Sequence, residues 1–238
     1  MKRRKILIFT GAGVSAESGV KTFRDNDGLW NDFKVEEVAT IYAWHNNPQK
    51  VVDFYNLRRR EMIGVLPNDA HKTIFEMEKD FDVTVVTQNV DDLHEKAGSN
   101  KIIHLHGELA NLRGENSGKI IPYDHDLTLD EIDEDGGNFR PDVVWFGEDL
   151  DYGRLQESRK AANDSDICII IGTTMKVAPA AEIPFETPDN AIIYYIDPSE
   201  LDFTVPKMRR PFFYHIQKGA SEGIKEVLLD IKDIFNIN

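Results

Sequence analysis

The first residues that could do chemistry form a glycine-rich turn near the start of the chain. Residues 11–19 read GAGVSAESG, and Gly11, Gly13 and Ala16 fit the spacing G-x-G-x-x-G/A directly after an apolar run at residues 5–9. Glycine in such a turn lets the backbone approach a pyrophosphate, whose charge meets amide groups and the positive end of a helix dipole. The turn indicates a site for a dinucleotide or a nucleotide diphosphate, and an ordinary glycine turn is the alternative.

A second group of polar residues follows two later apolar runs. Gln88, Asn89 and Asp91 come after one run, and His106 comes after the next. An imidazole titrates near neutral pH, which suits a general base, and amides and carboxylates can hold hydroxyl groups. Asn-x-Asp after a strand is also common turn and helix-cap chemistry, and Asp92 could supply that cap.

The elements that must position these residues can be read from the hydrophobic pattern. Apolar runs predict strands at residues 5–9, 83–87, 102–105, 143–146, 167–171, 192–196 and 212–216. Helical patterns lie at residues 15–18, 48–64, 68–79, 92–97, 155–162 and 222–235. The fullest strands are apolar on consecutive residues, which is typical of parallel strands covered on both faces. The prediction is an α/β fold, a Rossmann-like doubly wound parallel sheet.

Two segments do not fit the alternation of strands and helices. Residues 31–80 are mostly helical, and residues 113–140 are polar and rich in Asp, Glu and Gly. We interpret both as insertions that form a smaller second lobe within a single catalytic domain of residues 1–238. An ordinary dinucleotide fold would have an acidic residue about 20 residues after the glycines, at the end of its second strand. Residues 31–43 look helical instead, so a routine dehydrogenase domain is not expected.

Composition narrows the class of protein. The chain has 238 residues, and 42 acidic against 28 basic residues give a net charge of −14, so we expect neither direct nucleic-acid binding nor membrane binding. The apolar run behind the basic start is too short for a signal peptide, which favours a cytoplasmic protein. The single cysteine, Cys168, lies in an apolar run, so neither a disulfide nor a cysteine-built zinc site is expected.

Several motifs together resemble those of the sirtuin family. In the family's order they are Gly11-Ala12-Gly13-Val14-Ser15-Ala16-Glu17, Thr22-Phe23-Arg24-Asp25 with Gly28-Leu29-Trp30, Thr87-Gln88-Asn89-Val90-Asp91, His104-Leu105-His106-Gly107, Val144-Trp145-Phe146-Gly147-Glu148, and Gly172-Thr173-Thr174 with Val177 and Pro179. The motifs cover most of the chain and lie at strand ends, where α/β folds place their ligands. On these residues the chain is identified as a member of the sirtuin family.

The resemblance implies an NAD-dependent protein-lysine deacylase that releases nicotinamide and O-acyl-ADP-ribose. It implies that His106 is the general base, and that Gln88, Asn89 and Asp91 hold ribose hydroxyls, a water and the nicotinamide carboxamide respectively. The catalytic residues are then His106 and Asn89. The residues expected to bind NAD are Gly11, Ala12, Gly13, Ser15, Ala16, Glu17, Phe23, Arg24, Asp25, Trp30, Gln88, Asn89, Asp91, His106, Gly172, Thr173, Thr174, Asp197 and Ala220. Other histidines, His104, His94, His71 and His45, are interpreted as ordinary core or surface residues.

The resemblance also implies how an acyl-lysine protein or peptide binds. Two segments resemble those between which sirtuins hold the peptide as an added strand, and their residues are Val144, Trp145, Phe146, Gly147 and Val177. Tyr55 and Arg58 match the Tyr-x-x-Arg pair of the desuccinylase subclass, and at this spacing they share a helix face. A hydroxyl and a guanidinium suit a dicarboxylic acyl group, so succinyl- or malonyl-lysine is the expected substrate, with acetyl-lysine secondary.

The chain departs from the family pattern at three places. Residues 113–140 lack the two Cys-x-x-Cys pairs of the family's structural zinc site, so no zinc is expected and the lobe must be held by packing. Thr174 stands in place of the usual serine. Asp197 stands where an asparagine commonly meets the adenosine ribose, and its carboxylate would favour ribose hydroxyls over a 2′-phosphate.

Two rival interpretations stay open. The first is an NAD hydrolase or ADP-ribosyltransferase on the same fold, and the presence of Tyr55, Arg58 and the peptide-holding segments argues against it. The second is a catalytically silent protein that binds NAD or ADP-ribose, which the loss of the zinc cysteines keeps open. The presence of His106 and Asn89 favours catalysis.

Overall fold

The computed structural model describes residues 3–21, 29–30 and 33–237. The strands in chain order are β1 (Lys5–Thr10), β2 (Leu29–Trp30), β3 (Phe33–Lys34), β4 (Asp82–Thr87), β5 (Ile102–His104), β6 (Gly107–Gly114), β7 (Ile120–Pro122), β8 (Phe139–Val143), β9 (Ile167–Ile171), β10 (Ile192–Ile196) and β11 (Phe213–Ile216). The helices are α1 (Gly13–Ala16), α2 (Val35–Val38), α3 (Ile41–Asn46), α4 (Pro48–Glu61), α5 (Asp69–Met77), α6 (Leu93–Ala97), α7 (Tyr152–Asn163) and α8 (Ala220–Phe235). Short 3-10 helices lie at Ala180–Glu186 and Lys207–Phe212.

A parallel sheet forms the centre of the described part of the chain. Its six strands have the order β11-β10-β9-β1-β4-β5, and each neighbouring pair is parallel. Parallel neighbours need crossover connections, and these place helices on the faces of the sheet. The predicted α/β class with a parallel sheet is confirmed.

Strand β1 shows why the central strands are apolar on consecutive residues. Ile6 and Ile8 pack on the face that helices α5 and α8 cover. Leu7 and Phe9 pack on the opposite face, against Ala162 of helix α7 and the 3-10 helix Ala180–Glu186. Because successive side chains of a strand point to opposite faces, a strand buried on both faces must be apolar at every position.

A separate three-stranded antiparallel sheet, in the order β7-β6-β8, packs with helices α2, α3 and α4. Its shared core contains Leu112 and Leu127 from the segment at residues 107–143, and Trp44 and Phe54 from the helices. This arrangement brings together much of the two segments that were interpreted as insertions. Helix α5, which lies within the predicted insertion at residues 31–80, packs on the parallel sheet instead. The lobe boundaries stay a prediction.

The predicted strand at residues 143–146 is wrong. The strand is Phe139–Val143, and it pairs antiparallel with β6 and not with the parallel sheet. Arg140 and Asp142 lie in this strand and are buried, because Glu148 and Arg113 neutralise them. A search for apolar runs misses a strand whose buried residues are ion pairs. In the described residues, no helix is long and apolar enough to cross a membrane.

Candidate active site

The glycine turn joins β1 to α1 and packs against the segment after β9. The Gly11 amide donates to the Ile171 carbonyl at 3.0 Å, and the Gly13 amide donates to the Gly172 carbonyl at 2.9 Å. A Cβ on Gly13 would lie 2.6 Å from the Cα of Gly172. Glycine is therefore needed here for the close approach of two loops, in addition to any ligand.

Three polar side chains meet beneath this turn. The Ser15 hydroxyl donates to Asp91 Oδ2 at 2.9 Å and accepts from Asn89 Nδ2 at 3.1 Å, and all three residues are buried. Burial raises the pKa of Asp91, against the hydrogen bonds that its carboxylate accepts. Asp91 Oδ1 also accepts from the Leu93 amide at 3.2 Å, whereas Asp92 makes no side-chain capping bond. The capping alternative thus belongs to Asp91, which also joins the buried cluster.

His106 lies beside this cluster, just after β5. Its Nδ1 is 3.0 Å from the main-chain carbonyl of Gln88. A carbonyl can only accept, so Nδ1 carries the proton and the neutral ring has its lone pair on Nε2. Burial lowers the pKa of His106, and the Gln88 carbonyl opposes this only in part. The ring is therefore prepared as a neutral base at physiological pH.

The ends of β4 and β9 are joined by side chains of predicted site residues. Gln88 Nε2 donates to the Thr173 hydroxyl at 3.0 Å, and the Gln88 amide donates to the Thr10 carbonyl at 2.9 Å. Thr173 is buried and Thr174 half-buried. The structure thus brings residues from β1, β4, β5 and β9 to one edge of the sheet, as parallel strands require.

Three further predicted NAD residues lie toward the last helix. Asp197 is buried after β10, and its Oδ1 accepts from the Ser199 amide at 2.9 Å. Glu17 Oε1 accepts from the Ser221 amide at 3.0 Å, so it caps the start of α8, where Ala220 is the first residue. Glu17 therefore has a structural role that its position in the motif did not predict.

The segment after the glycine turn, which carries four of the predicted NAD-binding residues, is only partly described. Phe23, Arg24 and Asp25 lie outside the described residues. Trp30 is described by its main chain, which pairs with Phe33 in the short β2–β3 ribbon. The predicted roles of these residues stay predictions.

Tyr55 and Arg58 lie on helix α4, and Tyr55 belongs to the core that this helix shares with the antiparallel sheet. The Tyr55 hydroxyl accepts from Trp145 Nε1 at 2.9 Å, and Tyr55 is only 1% exposed. Burial raises the pKa of Tyr55, so the phenol stays protonated. Arg58 Nη1 pairs with Glu61 Oε2 at 2.7 Å, and the guanidinium is buried. A substrate carboxylate at this place would meet an arginine that already has a partner.

The segment predicted to hold the peptide divides into buried and exposed residues. Trp145 is buried, and the Arg140 guanidinium lies 3.6 Å from its ring centroid. Phe146 is 52% exposed, and its main chain bonds with Ala39 and Ile41. Val177 is also exposed. The structure thus presents Phe146 and Val177 to solvent and withdraws Trp145 into the core.

The carboxylate of Asp133 organises the segment at residues 113–140. Asp133 is buried and accepts from the amides of Ser117, Asp135 and Gly137 and from the Ser117 hydroxyl. Leu112 and Leu127 supply the expected packing, whereas Ile132 is exposed. Within the described ranges, no group of three or more His, Cys, Asp or Glu side chains is placed to hold a metal ion.

Sequence reasoning missed the histidines that support the site. His104, which was interpreted as an ordinary residue, has Nδ1 3.0 Å from the Asn89 carbonyl and Nε2 2.8 Å from Glu95 Oε1. His94 Nε2 is 3.1 Å from the Thr10 hydroxyl, and the rings of His94 and His71 stack edge to face. One available signal was the spacing of His104 and His106, which places both rings on the same side of an extended chain.

Comparisons with known proteins agree with this arrangement. The Sir2 family model matches residues 11–179. An "NAD-dependent protein deacylase" of Helicobacter pylori (strain 26695) is 47% identical over 205 residues, which cover 86% of this chain and 89% of that protein. A Sir2 homologue solved with ADP-ribose is 34% identical, with a TM-score of 0.87 over 99% of this chain and 95% of that one. A Sir2–p53 peptide–NAD⁺ complex is 25% identical, with a TM-score of 0.77 over 96% of this chain and 93% of that one.

Proposed function

Because the chain belongs to the Sir2 family, we propose that it is an NAD-dependent deacylase of protein lysines that prefers succinyl and malonyl groups and removes acetyl groups as a secondary activity. Its substrates are acyl-lysine proteins or peptides of the cytoplasm. The observation that carries the proposal is the buried cluster of Ser15, Asn89 and Asp91 beside His106, whose tautomer leaves Nε2 as a base.

The donor set at the sheet edge fits NAD. Hydroxyl, amide and carboxylate groups from Ser15, Gln88, Asn89 and Asp91 suit ribose hydroxyls and a carboxamide, and the raised pKa of Asp91 favours contact with an uncharged group. When bound, NAD supplies a ribose carbon activated by its nicotinamide leaving group. The H. pylori protein is named NAD-dependent, and the Sir2 homologue holds ADP-ribose, which supports this assignment.

His106 performs the proton transfer in this proposal. Its Nδ1–H is held by the Gln88 carbonyl, so Nε2 accepts the proton of a ribose hydroxyl. The lowered pKa keeps the ring unprotonated at neutral pH. Asn89, whose amide is held by Ser15, orients a water or the ribose next to it.

The acyl preference rests on Tyr55 and Arg58. They are one helical turn apart on α4, and a buried guanidinium binds a carboxylate more strongly than an exposed one does. The Trp145 indole donates to the Tyr55 hydroxyl and so fixes the orientation of the phenol. In this proposal the acyl carboxylate competes with Glu61 for Arg58.

The experiment compares succinyl-, malonyl- and acetyl-lysine peptides with and without NAD, with products followed by mass. We expect His106→Ala to abolish all three reactions. Arg58→Met should lower kcat/KM for the dicarboxylic acyl groups by roughly tenfold to a hundredfold, the loss expected for a charge-assisted hydrogen bond, and spare the acetyl group. Arg60→Met is the matched control, because Arg60 belongs to the same basic run but is exposed and paired with Asp126.

Other outcomes would replace the proposal. If NAD is cleaved while every peptide stays intact, the protein is an NAD hydrolase or an ADP-ribosyltransferase. If NAD or ADP-ribose binds and neither NAD nor peptide changes, it is a silent binder. If Arg58→Met and Arg60→Met have equal effects, the acyl preference does not depend on Arg58.

A further inference from the structure

Two histidines hold neighbouring carbonyls of the loop that carries Gln88 and Asn89. His104 Nδ1 is 3.0 Å from the Asn89 carbonyl, and His106 Nδ1 is 3.0 Å from the Gln88 carbonyl. The parallel register places Thr87 of β4 opposite His104 of β5, so both rings reach the loop directly after β4. Each ring must donate to its carbonyl, because a carbonyl has no proton to give.

The two histidines differ in their second nitrogen. His104 Nε2 is 2.8 Å from a carboxylate oxygen of Glu95, which also only accepts. A neutral imidazole has one N–H, whereas an imidazolium has two. His104 can therefore satisfy Asn89 and Glu95 together only when it is charged, while His106 needs only one N–H.

The charges around His104 favour its protonated form. Burial lowers the pKa of His104. The hydrogen bond and the charge of Glu95, together with the Asn89 carbonyl and Glu108, raise it by more than burial lowers it, so the net pKa is raised. The groups that face the ring from neighbouring elements are Glu95 and His94 on α6, Glu108 on β6, Arg154 on α7 and Asp91 after β4. Of these, His94 has a strongly lowered pKa and is neutral.

We propose that His104 is a positioning residue of the reaction: as an imidazolium it links Glu95 to the Asn89 main chain and so holds the Asn89 amide and, through Gln88, the base His106 in place. This inference rests on the proposed deacylase function. Deprotonation of His104 removes one of the two bonds and leaves the Nε2 lone pair facing the Glu95 carboxylate. The ring keeps its bond to the Asn89 carbonyl but is no longer fixed by Glu95, so it holds the loop less firmly, and turnover falls.

The sign of the pH dependence follows from the two histidines. His106 must be unprotonated, so activity falls as the pH drops through its pKa, which lies below the ordinary value of 6.5. His104 must be protonated, so activity falls as the pH rises through its pKa, which lies above 6.5. The kcat profile is therefore bell-shaped, and its alkaline side belongs to His104.

The test measures kcat and KM against pH for the wild type, His104→Ala, His104→Asn and Glu95→Gln. An asparagine amide can donate to the Asn89 carbonyl as Nδ1 does, and it does not titrate. We expect His104→Ala to lower kcat about tenfold at pH 7 with a smaller change in KM for NAD. We expect His104→Asn, which can donate to Asn89 but is not a cation paired with Glu95, to recover only part of this loss and to lose the alkaline side. We expect Glu95→Gln to move that side to lower pH by about one unit.

A second readout does not depend on turnover. In an NMR titration of the free protein, we expect His104 to carry two N–H protons at pH 7 and the Asn89 amide resonances to follow its titration in the wild type but not in His104→Asn. The inference would be overturned by any of three results: a neutral His104 at pH 7, Asn89 resonances that do not change with the titration of His104, or a kcat profile of His104→Asn that keeps its alkaline side. If the wild type removes no acyl group at any pH, the proposed function fails, and the NMR titration still decides the role of His104.

Discussion

At the scale of single residues, burial sets the charge of the groups around the sheet edge. Burial lowers the pKa of His106 and raises the pKa of Asp91, so it favours the neutral form of both. Both groups follow strands at the same edge of the sheet, and their neutral forms are suited to uncharged hydroxyl and amide groups of a ligand. His104 is the exception, because Glu95 reverses the effect of burial.

Gly172 carries a residue-scale prediction about the loop that contacts the glycine turn. Its φ is +61°, and a Cβ would lie 2.5 Å from the main-chain carbon of Gly13. We expect Gly172→Ala to push the two loops apart and to lower ADP-ribose affinity at least tenfold, together with a lower unfolding temperature. Calorimetric binding and thermal unfolding measure the two effects.

The control is Gly118→Ala in the turn between β6 and β7. Gly118 has a similar φ of +66°, and a Cβ there would meet no atom within 4 Å. Gly118→Ala therefore measures only the loss of folding free energy from placing a side chain on a left-handed backbone, about 1 kcal/mol. Equal effects of the two substitutions would mean that contact between the loops does not limit binding.

At the scale of elements, the connection between β7 and β8 is organised by Asp133. Its carboxylate accepts hydrogen bonds from main-chain amides before and after it in the chain and from the Ser117 hydroxyl. Next to it, Ile132 forms a β-bridge with Asn138. Burial tends to raise the pKa of Asp133, but the donated hydrogen bonds outweigh it and the net pKa is lowered. An ionised carboxylate thus stabilises this loop.

Asp133→Asn tests the role of this carboxylate. A lowered folded pKa contributes stability above the unfolded value of 3.8 and loses it as the pH falls through the folded pKa. We expect the variant to unfold at lower urea concentration than the wild type at pH 7, and the difference to shrink as the pH falls below 3.8. Asp130→Asn, at an exposed position of the same segment, should behave as the wild type at both pH values. A difference that is independent of pH would contradict an electrostatic role.

At the scale of the whole molecule, a buried ion cluster ties the antiparallel sheet to the parallel one. Asp142 on β8 is fully buried and accepts from Arg113 Nε at 2.9 Å. Its second oxygen lies 3.4 Å from Arg154 Nη2 on α7, and Arg154 Nη1 donates to the His104 carbonyl at 3.2 Å. Arg154 therefore links the antiparallel sheet to the end of β5 beside the site.

Asp142→Asn should weaken this link. Loss of one partner of a buried ion pair leaves charge uncompensated, and we expect the free energy of unfolding to fall by about 3 kcal/mol. Guanidinium unfolding measures the change, and Asp149→Asn, at an exposed position nearby, is the control. A loss below about 1 kcal/mol would show that solvent replaces the lost charge and that the cluster contributes little.

The sequence by itself determined the parallel class of the sheet and the edge at which the candidate site lies. Strands that are buried on both faces must be apolar at every position, and residues 5–9 and 167–171 satisfy this locally. Polar residues directly after such strands must meet at one edge, which brings Gln88, Asn89 and His106 together without knowledge of any contact.

Only the tertiary structure decided which polar residues are buried and what neutralises them. Strand β8 was missed because Arg140 and Asp142 look exposed in sequence, while their partners lie on other segments of the chain. The charge of His104 depends on its contact with Glu95, and a hydrophobic pattern does not predict that these two residues meet. The hydrophobic periodicity of a sequence shows which face of an element is apolar. The free energy of a buried charge depends instead on an oppositely charged or hydrogen-bonding partner, which the fold brings from a distant part of the chain.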